Sequence, residues 1–387
     1  MASMKVAIVT PGSYSIPSPM SSSVERVIEK FAPLLQPQAE PRIYGKLSKR
    51  LPRKGELLGV VYERFSKSST TRYLQSIGKS IKRFNPDVID VENRPKYVLS
   101  MRRSNPRKRV WLYLHSSTFI SPRHITPRTL RHCLRAADRI IVNSEYLRGV
   151  VATKVPEITA KLRVIYPGVD TARFLSQYSP EGMVYREALR QREGVAHRRV
   201  VLFMGRLIPL KGVHHLLRIV PQLARSNPDV MVVIVGSPFY GSHRKTRYAL
   251  ELERIGRLCP EHVRFVPYVP YTEVSDWNLL ADVAVVPSVE REAFGLVNVE
   301  AMSCGVPVVA TNVGGMREII EHGSTGFLVD PARVEAELLE MLQLLLSNDE
   351  LRREYGMRSR ERIEQMFTWQ HMADRWLYLL ETEGRMR

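Results

Sequence analysis

Short runs of β-branched and other apolar residues recur along this chain, and amphipathic helical stretches lie between most of them. Residues 5–10, 86–91, 110–115, 139–143 and 162–166 read as buried strands, with helices over 24–35, 68–84 and 127–137. A polar helical stretch at 180–197 follows, and then the pattern starts again. Strands are expected at 200–204, 230–236, 263–266, 282–287, 306–310 and 327–329. Helices are expected from Gly212 and over 244–258 and 271–281. Alternation of this kind calls for doubly wound parallel sheets, and here it occurs twice. We expect an α/β chain of two Rossmann-like halves: residues 1–168 and 169–368, with the boundary near Gly168. A last amphipathic helix is expected over 369–383, within a closing segment 369–387.

Within the second series, residues 290–315 carry the most chemistry. Glu292 and Glu300 bracket Phe294 and Gly295; an apolar strand and the Gly314-Gly315 turn follow. Glu292 falls in the loop before a helix and Glu300 about two turns further on. A helix entrance offers free N–H groups and suits a phosphate. An acid inside such a helix can hold sugar hydroxyls, as the acidic residue of dinucleotide folds holds a ribose. Two glutamates at this spacing are also common on solvated helices, so the surrounding loop, strand and glycine pair are what make them a candidate site.

This stretch resembles the signature of retaining glycosyltransferases of family 4, which have the GT-B fold. Four more segments resemble that family in the same order along the chain. They are Val142-Asn143-Ser144-Glu145-Tyr146, Tyr166-Pro167-Gly168-Val169-Asp170, Gly205-Arg206 through Lys211-Gly212, and Gly323 to Val329. In addition, Val91-Glu92-Asn93-Arg94-Pro95 resembles a segment of glycosyltransferases linked to bacterial spore coats.

The resemblance implies a GT-B architecture, with two Rossmann-like domains facing each other across a cleft. The first would serve the acceptor and the second the nucleotide-sugar donor, with the last helix packing back on the first. It implies that Arg206 and Lys211 contact the donor diphosphate, and two cations at a strand end have the right chemistry for that. Glu300 would hold the ribose hydroxyls and Glu292 the donor sugar near its 3-hydroxyl. Backbone N–H groups of Phe294, Gly295 and Leu296 would meet sugar hydroxyls and phosphate. The base would lie between Gly236 and Val269, where Pro267 replaces the family's usual glycine. His115 matches a family histidine near the sugar's 6-hydroxyl. The loop from Gly12 would line the same site, with Ser22 and Ser23 where the family commonly has Gly-Gly. Asn93 and Arg94 are candidates on the acceptor side, or else a turn with a salt bridge. No D-x-D motif stands in a suitable place, so no metal site and no cofactor are expected.

Charge narrows the partners. Residues 1–190 hold 34 Lys+Arg against 14 Asp+Glu, a net of +20. Residues 191–387 hold 24 against 25, a net of −1, and the two sum to the chain's +19. A basic half attracts polyanions or an anionic surface, unless it is only a solvated face that aids solubility. Cys133, Cys259 and Cys304 are odd in number and far apart, which points to buried free thiols in a reducing cytoplasm rather than disulfides or zinc. No apolar run reaches the length of a spanning helix, and no signal peptide is read.

The function expected is therefore retaining, metal-independent transfer of a hexose or N-acetylhexosamine. The donor is a nucleotide sugar, by default a UDP-sugar, with GDP and ADP left open. The acceptor is unnamed; an anionic glycan or lipid fits the charge. The protein would be cytoplasmic, with peripheral membrane or spore-coat association left open and nucleic acid disfavoured. Two other classes stand beside this reading: a nucleotide-sugar epimerase on the same fold, and a non-enzymatic polyanion-binding protein.

Overall fold

A computed structural model describes residues 3–17, 23–239 and 244–384. The chain divides into two compact units, Met1–Gly168 with Trp369–Arg387, and Val169–Thr368. Each is an α/β sheet whose strands are all parallel, apart from one antiparallel edge strand in the first.

In the first unit the strands are β1 (Met4–Val9), β2 (Ala39–Lys46), β3 (Lys54–Leu57), β4 (Val60–Phe65), β5 (Val88–Glu92), β6 (Arg109–Leu114), β7 (Arg139–Val142) and β8 (Leu162–Val164). Their order is β3-β4-β2-β1-β5-β6-β7-β8. The sheet thus grows one way from β1 through β2 and the other way through β5, so β1 and β5 flank its switch point. Every residue of β5 is buried, as is every residue of β6 after Arg109. Such burial on both faces is what a parallel sheet covered by helices requires.

Strands β2, β3 and β4 were not expected from the sequence. β2 reads AEPRIYGK, with charge and proline inside it, while β3 is short, polar and exposed. Neither gives an apolar run. The helix expected over 24–35 is an α-helix only over Ser23–Phe31; Pro33 lies in the 3₁₀ turn Ala32–Leu35 that completes it.

The helix Trp369–Glu383 belongs to this first unit. Trp376 is fully buried, 5.5 Å from the Trp111 ring and 6.2 Å from that of Phe31. Glu383 at its end pairs with Arg163 at 2.8 Å and with Arg139.

The second unit holds β9 (Arg199–Met204), β10 (Val230–Val235), β11 (Val263–Val266), β12 (Val283–Val286), β13 (Val308–Thr311) and β14 (Gly326–Val329). Their order is β11-β10-β9-β12-β13-β14, so its switch point lies between β9 and β12. Helices Val213–Ser226 and Val334–Ser347 bury Leu216, Leu217, Val220, Leu338 and Leu342 against these strands in one core. Asp282, at the foot of β12, is buried and accepts from Arg186 at 2.8 Å, Arg190 at 3.1 Å and the Val200 N–H at 2.7 Å. Burial alone would raise its carboxyl, but the two guanidiniums outweigh burial and hold it below its ordinary value.

Cys133 and Cys304 are buried thiols; Cys259 is only half-buried, against the second core. Among the described residues, no helix is long and apolar enough to cross a membrane.

Trp376 fills the space between the first sheet and the helix Ser23–Phe31. Trp376→Ala is expected to cost about 3–5 kcal/mol of stability in the first unit. Denaturant unfolding followed by tryptophan fluorescence checks this; a loss under about 1 kcal/mol would mean that the helix contributes little there.

Candidate functional site

Ligands of open α/β sheets bind beyond the carboxyl ends of the strands at the switch point. Both units place chemically capable side chains there, and each is described separately.

In the second unit, the chain leaves β9 through Gly205 and the exposed Arg206. It then makes a 3₁₀ turn, Pro209–Lys211, and enters the helix Val213–Ser226 at Gly212. Gly212 has φ +66°, and a Cβ there would stand 1.8 Å from the Pro287 carbonyl oxygen. Only glycine lets this turn press so closely on the loop after β12. The Val289 N–H donates to the Leu210 carbonyl at 3.1 Å and holds the two together.

The result is an ion pair between Lys211 Nζ and Glu292 Oε2. Ser288 Oγ lies 3.4 Å from the same carboxylate oxygen. The Gly-Gly turn fixes the other side of Glu292: the Gly315 N–H donates to its carbonyl at 2.9 Å, and a Cβ on Gly314 would stand 1.8 Å from that oxygen. The sequence pattern of glycines and glutamate is therefore one clamp around a single loop.

Gly295, at φ +101°, opens the helix Leu296–Ser303 with no side-chain cap. The Asn298 N–H donates to the Gly295 carbonyl at 2.9 Å, and no cap side chain accepts from the first turn. Phe294 is buried, 5.8 Å from the Phe367 ring, so only its backbone can serve a ligand. Leu296 is half-buried. Glu300 is 5% exposed on this helix. Gly236 follows β10 with φ +146°, and its N–H donates to the Val266 carbonyl at 2.9 Å. Val269, half-buried after β11, and the exposed Pro267 lie one strand further out.

In the first unit, Gly12 follows β1 with φ +66°. Lys67, just past β4, donates to the Gly12 carbonyl at 2.8 Å. Arg94, just past β5, donates to Ser13 Oγ at 2.8 Å and to the Asn93 carbonyl at 2.9 Å, with its guanidinium 3.5 Å from the Phe119 ring centroid. Lys46, at the end of β2, bridges to Ser15 through its backbone. Two cations, Lys67 and Arg94, thus converge on Gly12 and Ser13, while Lys46 meets Ser15 through its backbone. Burial, and then the charges of Arg94 and Lys46, lower the Lys67 ammonium below its ordinary value. Arg94 is thus a half-buried staple between two loops, with an aromatic floor. Ser23 is exposed at the start of its helix, and Ser22 lies outside the described residues.

His115 ends β6 and is held on every side. Its N–H donates to Asn93 Oδ1 at 3.2 Å, its carbonyl accepts from Asn143 Nδ2 at 3.0 Å, and its ring stacks on Tyr113. Its Nε2 lies 2.6 Å from Glu92 Oε2, and the Glu92 side chain is wholly buried. Burial pushes the Glu92 and Asp90 carboxyls well up and the His115 imidazole down to about 4. Both shifts favour a neutral pair, in which the Glu92 hydroxyl donates to Nε2 and the ring proton sits on Nδ1. The sequence names Glu92 only as part of a motif; its role follows from the strand register that sets Glu92 beside Tyr113, which no spacing reveals. Lys67 was missed for a similar reason, since the strand that carries it was missed.

A neutral pair makes a definite prediction. Glu92→Gln retains an N–H donor for Nε2 and should change stability by less than about 1 kcal/mol, whereas Glu92→Ala should cost about 1–3 kcal/mol. The His115 ring, followed by NMR, should not titrate as pH falls through 6.5, its ordinary value, and should gain a proton only near 4. Since the folded state resists that proton, the histidine's contribution to stability is complete above 6.5 and declines as pH falls toward 4. The raised carboxyls have the opposite sign, losing their contribution as pH rises through their folded values. A cost for Glu92→Gln equal to that for Glu92→Ala would show an ionised carboxylate instead.

Comparison with known proteins finds matches along most of the chain. Residues 175–362 match the family of glycosyl transferases group 1, and residues 25–173 match glycosyltransferase family 4. Spore coat protein SA of Bacillus subtilis (strain 168) is 28% identical over 378 residues, covering 98% of this chain and 99% of that protein. A GDP-mannose-dependent alpha-(1-6)-phosphatidylinositol monomannoside mannosyltransferase of Mycolicibacterium smegmatis is 35% identical over 218 residues, covering 54% of this chain and 53% of that protein. The crystal structure of Anabaena HepE in complex with UDP-glucose superposes with a TM-score of 0.78 at 23% identity, over 98% of this chain and 100% of that one.

Proposed function

Because this chain belongs to the GT-B glycosyltransferases, with a family 4 region followed by a group 1 region, we propose that it transfers a hexose or N-acetylhexosamine with retention from a nucleotide sugar to an anionic acceptor. The observation that carries this reading is the meeting of Lys211 and Glu292 at the switch point of the second sheet. A cation and an acid that satisfy each other without a ligand are ready to be separated by one. Lys211, with Arg206 at the same strand end, would turn to a diphosphate, and Glu292 to a sugar hydroxyl. Glu300 would take the ribose, the backbone N–H groups of Phe294, Gly295 and Leu296 would take phosphate or sugar oxygens, and Gly236 and Val269 would border the base.

In the reaction, the bond from the anomeric carbon to the diphosphate breaks, and its electron pair leaves with the diphosphate. The acceptor oxygen bonds to that carbon on the same face, and its proton passes to the departing phosphate oxygen. Arg206 and Lys211 stabilise the charge that grows there, which is work a metal would otherwise do. A UDP-sugar is the first donor to try, since HepE was crystallised with one; the similarity to a GDP-mannose-dependent enzyme keeps GDP-sugars in the screen.

An anionic acceptor is favoured by Lys67 and Arg94 on Gly12 and Ser13 and by Lys46, whose charge acts on Lys67, with Asn93 and Ser23 as further candidates; His115 would lie near the donor sugar's 6-hydroxyl. The net charge of +20 on residues 1–190 agrees with this. Work inside the cell, at the spore coat or a membrane surface, is part of the same proposal and draws on the likeness to spore coat protein SA.

Thermal-shift screening over UDP-, GDP- and ADP-sugars, with and without a chelator, identifies the donor by mass action. Arg206→Ala and Lys211→Ala should each lower kcat by about 10²–10³-fold, Glu300→Gln should weaken nucleotide binding, and chelation should change neither. Turnover that survives both cation substitutions would disprove the assignment. An isomeric sugar nucleotide formed from donor alone would show epimerisation instead.

A further inference from the structure

We propose that the β3–β4 hairpin of the first unit is a membrane-docking element, whose leucine tip enters a bilayer surface bearing anionic headgroups. The tip is Leu57-Leu58-Gly59, and its two leucines are 45% and 72% exposed. Leu58 has φ +51° and Gly59 φ +74°, a tight turn that ordinarily takes Asn or Asp at the position Leu58 occupies. A bulky apolar residue held in the left-handed region, with most of its surface in water, destabilises the fold locally and gains no packing in return. A burial site outside this chain accounts for both features.

The flanks indicate the partner. Residues 49–59 read KRLPRKGELLG, with four cations and one acid, Glu56. Lys49, Arg50, Arg53 and Lys54 are all exposed, as is Glu56. Lys54 reaches Glu63 at 3.7 Å yet keeps 73% of its side chain exposed. β3 is also the outer edge of the sheet, pairing with β4 alone. Its lysine and the adjoining arginine discourage pairing with another strand edge, which argues against a second copy of the chain. Two apolar side chains at a tip, with four exposed cations in the segment leading to it, match the layered chemistry of an anionic bilayer, acyl chain beneath phosphate. A nucleic acid backbone would use the cations and leave the leucines in water.

The hairpin is rigid enough to present this tip. The Arg64 N–H donates to the Arg53 carbonyl at 2.7 Å, and its guanidinium donates to the Pro52 carbonyl at 2.9 Å and the Ile16 carbonyl at 2.7 Å. Arg64 itself is 5% exposed, so the segment is anchored to the body of the unit.

Co-sedimentation of the full chain with vesicles of phosphatidylcholine, alone or with about a third phosphatidylglycerol, tests the proposal. The wild type should bind the anionic vesicles and scarcely the neutral ones. Leu57→Ser with Leu58→Gly should weaken binding by about tenfold or more. Glycine suits the turn, so this variant should melt no lower than wild type, which separates lost docking from lost folding. Arg50→Glu, Arg53→Glu and Lys54→Glu together should weaken binding by on the order of a hundredfold at low salt. Added salt should abolish the difference between that variant and wild type but not the effect of the leucines.

The proposal is overturned if wild type binds neither vesicle, if the leucine variant binds like wild type, or if those substitutions instead disrupt a dimer seen by light scattering. None of these outcomes bears on the donor site, which is measured by nucleotide binding without vesicles.

Discussion

Each sheet of this protein is laid down first on one side of its opening strand and later on the other, and a crevice opens at the strand ends where the two sides meet. This opening is a consequence of right-handed crossovers, independent of any side chain. In the first sheet it falls between β1 and β5, and in the second between β9 and β12. Nearly every residue with chemistry to offer follows from it: Gly12, Asn93 and Arg94 in one unit, Lys211 and Glu292 in the other. His115 stands one strand further along and Gly236 one strand the other way. The topology selects positions, and the sequence then decides which charge stands at each.

The two openings are electrically unlike. In the second unit a cation and a carboxylate neutralise each other, held in place by glycines that bring two loops within van der Waals reach. In the first, carboxyls and an imidazole are buried into neutrality, while cations gather a strand or two away on Gly12 and Ser13. Two routes to local neutrality have different consequences. An ion pair yields to a ligand carrying charge, because one partner is exchanged for another. A buried neutral hydrogen bond does not, and so suits a histidine that must keep one tautomer.

Much of this was legible in the sequence, and what was not has identifiable causes. Strands with continuous apolar runs are legible, so β1, β5–β8 and all six strands of the second sheet are found within a few residues. β2 carries Glu40, Pro41 and Arg42, and β3 is exposed along most of its length, so neither leaves such a trace. With β4 missed as well, Lys67 had no strand end to mark it. The glutamates, glycines and cations of the second unit were legible because each lies in a local pattern of turn residues. Their mutual contact was not, because Lys211 and Glu292 are 81 residues apart and meet only through the pairing of β9 with β12. Glu92 was read as part of a motif without a task, since its partner is set by strand register.

The charge asymmetry acquires a structural meaning from the same comparison. Residues 1–190 carry a net +20, yet the carboxyl cluster at the ends of β5 and β6 is buried and kept neutral by its surroundings. Burial thus weakens the hold of these two carboxyls on a negative charge, so they offset less of the first unit's positive field than exposed acids would. Buried, neutral acids inside a basic shell preserve that field where exposed carboxylates would quench it. A field so maintained acts at the loops after β1 and β5 and at the outer hairpin alike, which is why an anionic acceptor and an anionic surface can both be inferred from one distribution of charge.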